Sequence, residues 1–167
     1  MVDAHIGELD MMGYYRTVSE KLDGVTIGGF LSPAFDTIRA LSRLLVHKAD
    51  FGKRLTEAYL AGDRAALSAL QSECDVIADL IDKLADAHKE SWMKYNKPFG
   101  WEVHDSRYGG LKARMHTAKD RIRAYLDGRI EKIDELHEER LRITGKSGFD
   151  GIFLSLKYQT YATPNIL

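Results

Sequence analysis

Asp63-Arg64-Ala65-Ala66-Leu67-Ser68-Ala69-Leu70-Gln71-Ser72-Glu73-Cys74-Asp75-Val76-Ile77-Ala78-Asp79-Leu80-Ile81-Asp82-Lys83-Leu84-Ala85-Asp86-Ala87-His88-Lys89-Glu90-Ser91-Trp92 is the stretch that decides the fold. Its inward-reading positions are Leu67, Leu70, Cys74, Ile77, Ile81, Leu84, His88 and Trp92. Steps of three and four keep them on one stripe of a helix. Asp63, following Gly62, is placed to cap the start, and Asn96 with Pro98 marks the end. About 32 residues at ~1.5 Å each make a rod roughly 50 Å long. A stripe of that length needs neighbours to cover it.

The preceding segment supplies one. Ser32-Pro33 is a cap residue followed by Pro in the first turn, and Ile38, Leu41, Leu45, Leu55 and Tyr59 are expected to face the same core. Gly62-Asp63 is then a turn short enough to make the two helices antiparallel. A third long helix is expected from about Leu111 to Ile143, with Leu111, Met115, Ala118, Ile122, Leu126, Ile130, Ile133 and His137 along one face and Gly145 as its stop. A shorter helix near Glu8 to Leu22 precedes them, followed by a loop over Gly24 to Leu31. After Gly145 the pattern alternates and turns aromatic, Ile152-Phe153-Leu154-Ser155-Leu156-Lys157-Tyr158, which reads as an extended tail over 146–167. The expected fold class is all-α: an antiparallel bundle of three long helices plus a short N-terminal helix, with an extended C-terminal tail.

The 167 residues, 44% of them hydrophobic, suffice for one domain with a single core that buries roughly two thirds of the unfolded surface. The whole of 1–167 is therefore expected to be one helical domain. Its 24 basic and 25 acidic residues are interspersed. No Lys/Arg stripe suits a phosphate backbone, so nucleic acid is not an expected partner. No run approaches the roughly 20 apolar residues that cross a bilayer, so no membrane partner is expected either. Cys74 is the one cysteine, which excludes an intrachain disulfide and favours a reducing, cytoplasmic setting. The start, Met1-Val2 running straight into Asp3-Ala4-His5-Ile6, reads equally well as the edge of a fragment.

Residues with chemical potential are mostly explained by packing. No His lies in a Glu-x-x-His or His-x-x-x-His pattern, and the helical pairs His116 with Asp120 and Asp134 with His137 offer two ligands where a metal needs three or four. No metal or cofactor is expected. His88 lies on the apolar stripe and is expected to hydrogen-bond across the bundle. Cys74, beside Asp75 on the same stripe, reads as an inert core thiol. His116-Thr117-Ala118-Lys119 resembles the start of a histidine phosphotransfer helix, although Asp120 sets a negative charge where a phosphoryl group would arrive. A free-standing signalling or adaptor module of that type is the alternative reading.

Helix packing does not explain Lys97-Pro98-Phe99-Gly100-Trp101-Glu102-Val103-His104-Asp105-Ser106-Arg107-Tyr108-Gly109-Gly110-Leu111. It is read as an elaborate loop, far longer than a connector needs to be. In one reading it is a packed turn: Glu102 and Asp105 charge-stabilise the next helix, Arg107 pairs with them, and Gly109-Gly110 allow a close backbone approach. In the other, Trp92, Tyr95, Trp101 and Tyr108 form an aromatic surface for another domain or subunit, flanked by Glu102, Asp105, Arg107 and Arg114. The two are compatible.

The run from Trp92 to Val103, then Asp105 to Leu111 and Arg114, resembles the C-terminal helical domain of bacterial exo-β-N-acetylhexosaminidases of glycoside hydrolase family 20. The likeness extends to Asp3-Ala4-His5-Ile6, to Ile133-Asp134-Glu135-Leu136 and Glu138-Glu139-Arg140-Leu141, and to Ala162-Thr163-Pro164-Asn165-Ile166-Leu167. It implies a larger parent enzyme whose (β/α)8 barrel removes terminal β-linked GlcNAc or GalNAc, with an Asp-Glu pair assisted by the substrate's acetamido group. The family signature His-x-Gly-Gly-Asp-Glu is absent here, and Asp134-Glu135 after Lys132-Ile133 does not match it. No catalytic residue carries over. The implied partners are the catalytic barrel of the parent and a second copy in a homodimer.

Overall fold

Side-chain caps and glycine stops divide the chain into its helices. A computed structural model describes residues 9–138. Helix α1, Met11–Asp23, starts at Asp10, whose carboxylate accepts from Gly13 N at 2.8 Å. A 3₁₀ turn at Gly29–Leu31 leads into α2, Ser32–Lys48, with Pro33 in its first turn. Helix α3 is Phe51–Leu60, α4 is Arg64–Tyr95, α5 is Trp101–Leu126 and α6 is the short Asp134–His137. Among the described residues there is no strand. The all-α expectation holds, and the expected tail over 146–167 lies outside the described residues.

Helix α4 is the element that the stripe predicts, capped by Asp63 accepting from Ala66 N at 2.9 Å. Leu67, Ile77 and Ile81 are sealed from solvent. Cross-helix bonds show the direction of its neighbours. Phe30 meets Tyr95, Thr37 donates to the Ala87 carbonyl, and Arg54 reaches Glu73, so α2 and α3 run antiparallel to α4. His88 meets Tyr108, Asp82 meets Lys112, and Asp75 meets Lys119, so α5 is antiparallel to α4 on its other side. Helix α1 packs on α2. The core lies among α2, α3, α4 and α5, with Leu44, Phe51, Leu55 and Tyr59 from one side and Met115 and Ile122 from the other.

Three boundaries differ from expectation. The helix that begins at Ser32 is broken at Ala49-Asp50, where Asp50 leaves helical geometry. Arg54 holds the break: it donates to Asp50 at 2.8 Å, to the freed His47 carbonyl at 3.0 Å, and through both terminal nitrogens to Glu73 at 2.7 and 3.0 Å. The break turns Phe51 inward, whereas Ile38 and Leu41, expected in the core, are exposed. On α2 the stripe toward α4 is instead Pro33, Thr37, Ala40 and Leu44, which are spaced by three and four.

The last long helix starts ten residues earlier than Leu111 and stops well before Ile143. Gly128 adopts φ +71°, Gly128 N donates to the Tyr125 carbonyl at 3.1 Å and Arg129 N to the Ala124 carbonyl at 2.8 Å. This is a Schellman stop, repeated at the end of α3 by Gly62 and Asp63. Ile133 still reaches the core from the turn that follows, its N–H donating to the Tyr59 hydroxyl at 3.1 Å. Ile143 and Gly145 lie outside the described residues.

Candidate functional site

The turn between α4 and α5 occupies only Asn96–Gly100, so the expected long loop is mostly the first turns of α5. The chain reverses through Asn96 N donating to the Trp92 carbonyl at 2.8 Å and the Trp92 indole donating to the Lys97 carbonyl at 2.9 Å. Gly100 then takes φ +94°, a left-handed conformation open mainly to glycine. Glu102 reaches back to accept from Gly100 N at 2.9 Å, and its charge suits a helix start. Once α5 begins at Trp101, the spacing Trp101, His104, Tyr108 is a helical stripe. It faces His88 and Trp92, four apart on α4.

Those five side chains form one ring cluster. The His88 and His104 centroids are 4.7 Å apart at 78°, with Trp101 5.2 Å from each of them. Trp92 lies 5.0 Å from His104 and 6.2 Å from Trp101. His88 Nδ1 and the Tyr108 hydroxyl are hydrogen-bonded at 2.9 Å, the cross-bundle bond expected of His88. Trp101 is only 5% exposed, and its indole N–H has no acceptor among the described residues. Burial pushes the His88 imidazole below its ordinary pKa, aided by the charge of His104. Burial also lowers His104, with Arg107 adding to the effect and Asp105 opposing it. The Tyr108 hydroxyl is raised by burial.

The expected aromatic docking surface is thus corrected in part. Trp101 is buried because its ring closes the α4–α5 corner, and Trp92 and Tyr108 are half-buried against it. Tyr95 points elsewhere: its hydroxyl donates to the Phe30 carbonyl and its ring packs edge-on to Phe30 at 4.9 Å. Asp105, Arg107 and Arg114 face solvent. Gly109 and Gly110 sit in helix with open space where a side chain would go, so the close approach expected there is not made within the described residues. His104 is not among the expected site residues; its one signal in the sequence is its place between Trp101 and Tyr108 at helical spacing.

Large apolar side chains are exposed near this corner beside the charged ones. Phe99 is 84% exposed in the turn, and Phe30 and Leu31 are 68% and 61% exposed before α2. The Phe30–Tyr95 contact places the start of α2 and the end of α4 at the same end of the bundle. Lys94 lies 5.5 Å from the Phe30 ring. Phe30, Leu31 and Phe99 are thus large apolar side chains exposed at this end of the bundle.

Elsewhere, reactive groups are muted by their surroundings. Cys74 is buried, and its thiol is pushed up to about 11 by burial and then by Asp75 and Glu73. His116 is exposed, but Lys119, which follows it by three, is held by Asp75 at 2.6 Å. Asp134 pairs with Lys132 at 3.0 Å and Glu135 with Arg121 at 2.9 Å. Among the described residues no three His, Cys, Asp or Glu gather as a metal site, and no helix is long and apolar enough to cross a membrane.

Residues 1–155 match the protein family described as the Glycoside Hydrolase 20C C-terminal domain. The match spans the Trp92–Arg114 motif and both flanking helices, and stops before Ala162–Leu167. No curated protein matches the chain.

Proposed function

The chain belongs to the glycoside hydrolase 20C C-terminal domain family, and from that membership we propose that it is the non-catalytic accessory domain of a β-N-acetylhexosaminidase. The parent would remove terminal β-linked GlcNAc or GalNAc with a barrel that precedes this domain. The family match carries the reading. It covers the α4–α5 corner and the helices on either side of it. We assign no catalytic residue to this chain.

The domain's work in this reading is to pack on the barrel and to support a homodimer. The apolar end formed by Phe30, Leu31 and Phe99, with the outward charges of Asp105, Arg107 and Arg114 along α5, is the surface we assign to those contacts. The lone cysteine suits a reducing compartment, and we extend the reading to a cytoplasmic bacterial parent.

The test is to express the parent reading frame whole and with residues 1–167 deleted, alongside this chain alone, and to assay each on a chromogenic β-GlcNAc glycoside. The whole enzyme should turn over and assemble as a dimer, the deletion should lose assembly or activity, and this chain alone should be inert. Turnover by the chain alone, or a deletion with unchanged assembly and kinetics, would refute the proposal.

A further inference from the structure

The ring cluster at the α4–α5 corner holds two imidazoles that packing does not require to be histidines. Leu, Phe or Tyr would fill the same stripe positions without a titratable group. Instead His88 and His104 stand edge to face with centroids 4.7 Å apart, enclosed by Trp92, Trp101 and Tyr108. One extra proton has a place to go. His88 can take it at Nδ1 and keep its bond to Tyr108 by donating to the hydroxyl oxygen. A second proton has no such accommodation, since it sets two like charges in van der Waals reach inside a half-buried cluster.

The surrounding charges do not cancel that repulsion. On α5, Asp105 favours a charged His104 and Arg107 opposes it. Glu102 on the same helix is held by Gly100 N at 2.9 Å. On α4, Lys89 and Glu90 follow His88 and are exposed. Helix α2 meets this part of α4 through Thr37, bonded to the Ala87 carbonyl at 3.1 Å, and its nearby Asp36 is held by Arg39 at 2.7 Å. At a centroid separation of 4.7 Å, a charge on one ring bears directly on the other.

We propose that His88 and His104 form an acid-sensitive latch, which holds the α4–α5 corner closed while at most one ring is charged and releases it when both are. The released corner frees Trp92, Trp101 and the Lys97–Gly100 turn, so the apolar end around Phe99 loses its support. The lowered basicity of both rings sets the sign: the neutral pair stabilises the fold above the ordinary histidine value of about 6.5, and that contribution is lost as pH falls below it. The inference concerns this chain's own residues and does not rest on the hexosaminidase reading.

Trp92 and Trp101 are the chain's two tryptophans, so emission excited at the red edge of the absorption band, where the eight tyrosines do not absorb, reports on this corner. The experiment follows emission wavelength and acrylamide quenching of the chain from pH 7.5 to 4.5, with far-UV circular dichroism alongside. A red shift and increased quenching at retained helicity are expected, and His104→Gln should abolish both or displace them by removing the second charge. Emission and quenching that do not change with pH, or the same transition in His104→Gln, would overturn the latch. Should that variant not fold, proton NMR of the wild-type histidine rings decides the matter. Two midpoints split below the ordinary value support the coupled pair, and two independent ordinary titrations refute it.

Discussion

Tyr59→Phe tests how the chain after α5 is anchored. The Tyr59 ring is buried, lies edge-on to Tyr125 at 5.3 Å, and offers its hydroxyl to Ile133 N–H at 3.1 Å. Ile133 is itself only 3% exposed, so water cannot replace the lost acceptor. Phenylalanine keeps the ring, the edge contact and nearly the whole volume, leaving the unpaired N–H as the main cost. A buried donor without a partner costs about 1–3 kcal/mol. For a domain of this size Tm moves by about 2–4 °C per kcal/mol, so a fall of about 2–12 °C is expected. Calorimetry and urea unfolding measure the loss, and amide exchange locates it, with Ile133 N–H exchanging faster than the α4 amides. Tyr125→Phe, which keeps the ring pair, is the control. A Tyr59→Phe variant with unchanged Tm and unchanged Ile133 exchange would refute the reasoning.

Glycines separate into two kinds: Gly109→Ala and Gly110→Ala, in open helix surface, should each stabilise the chain by about 0.5–1 kcal/mol, while Gly100→Ala, forced to φ +94°, should destabilise it by about 1–2 kcal/mol; thermal melts measure all three. Cys74 should resist a thiol reagent in the folded chain at neutral pH and react fully once the chain is unfolded, since it is buried with its thiol pushed up to about 11. Burial raises the Glu73 carboxyl, but the bonds and charges of Arg54 and His47 outweigh it and hold the group below its ordinary value. Its contribution is therefore present above that ordinary value and lost as pH falls through the lowered folded one, so Glu73→Gln should lower stability at neutral pH and flatten its decline below about pH 4.5.

The long central helix was legible because Asp63, an unbroken stripe and Asn96-Pro98 agree on one answer. Helix α5 was misplaced at both ends for opposite reasons. At its start, Gly109 and Gly110 read as loop, yet a helical glycine costs only about 1 kcal/mol, and burial of Trp101, Tyr108 and Met115 outweighs that. At its end, Asp127-Gly128 was a readable stop that the continuing apolar spacing through Ile130 and Ile133 masked. The break at Asp50 had no Pro to announce it, and it depends on Glu73 of another helix to satisfy Arg54. Of the corner residues, His88 and Trp92 are legible from the apolar stripe of α4, and Trp101 and Tyr108 from the aromatic run that follows it. His104 is not, because its partner His88 is 16 positions earlier and becomes a neighbour only when α4 and α5 fold back on each other.

The most direct test of the central claim is the natural polypeptide that carries this sequence, isolated from its source with an antibody against the chain, weighed by intact mass and assayed on a chromogenic β-GlcNAc glycoside. A polypeptide far heavier than the 18.9 kDa of this chain that releases the chromophore is the predicted result. A free protein of that small mass, or a larger one without hexosaminidase activity, would contradict it.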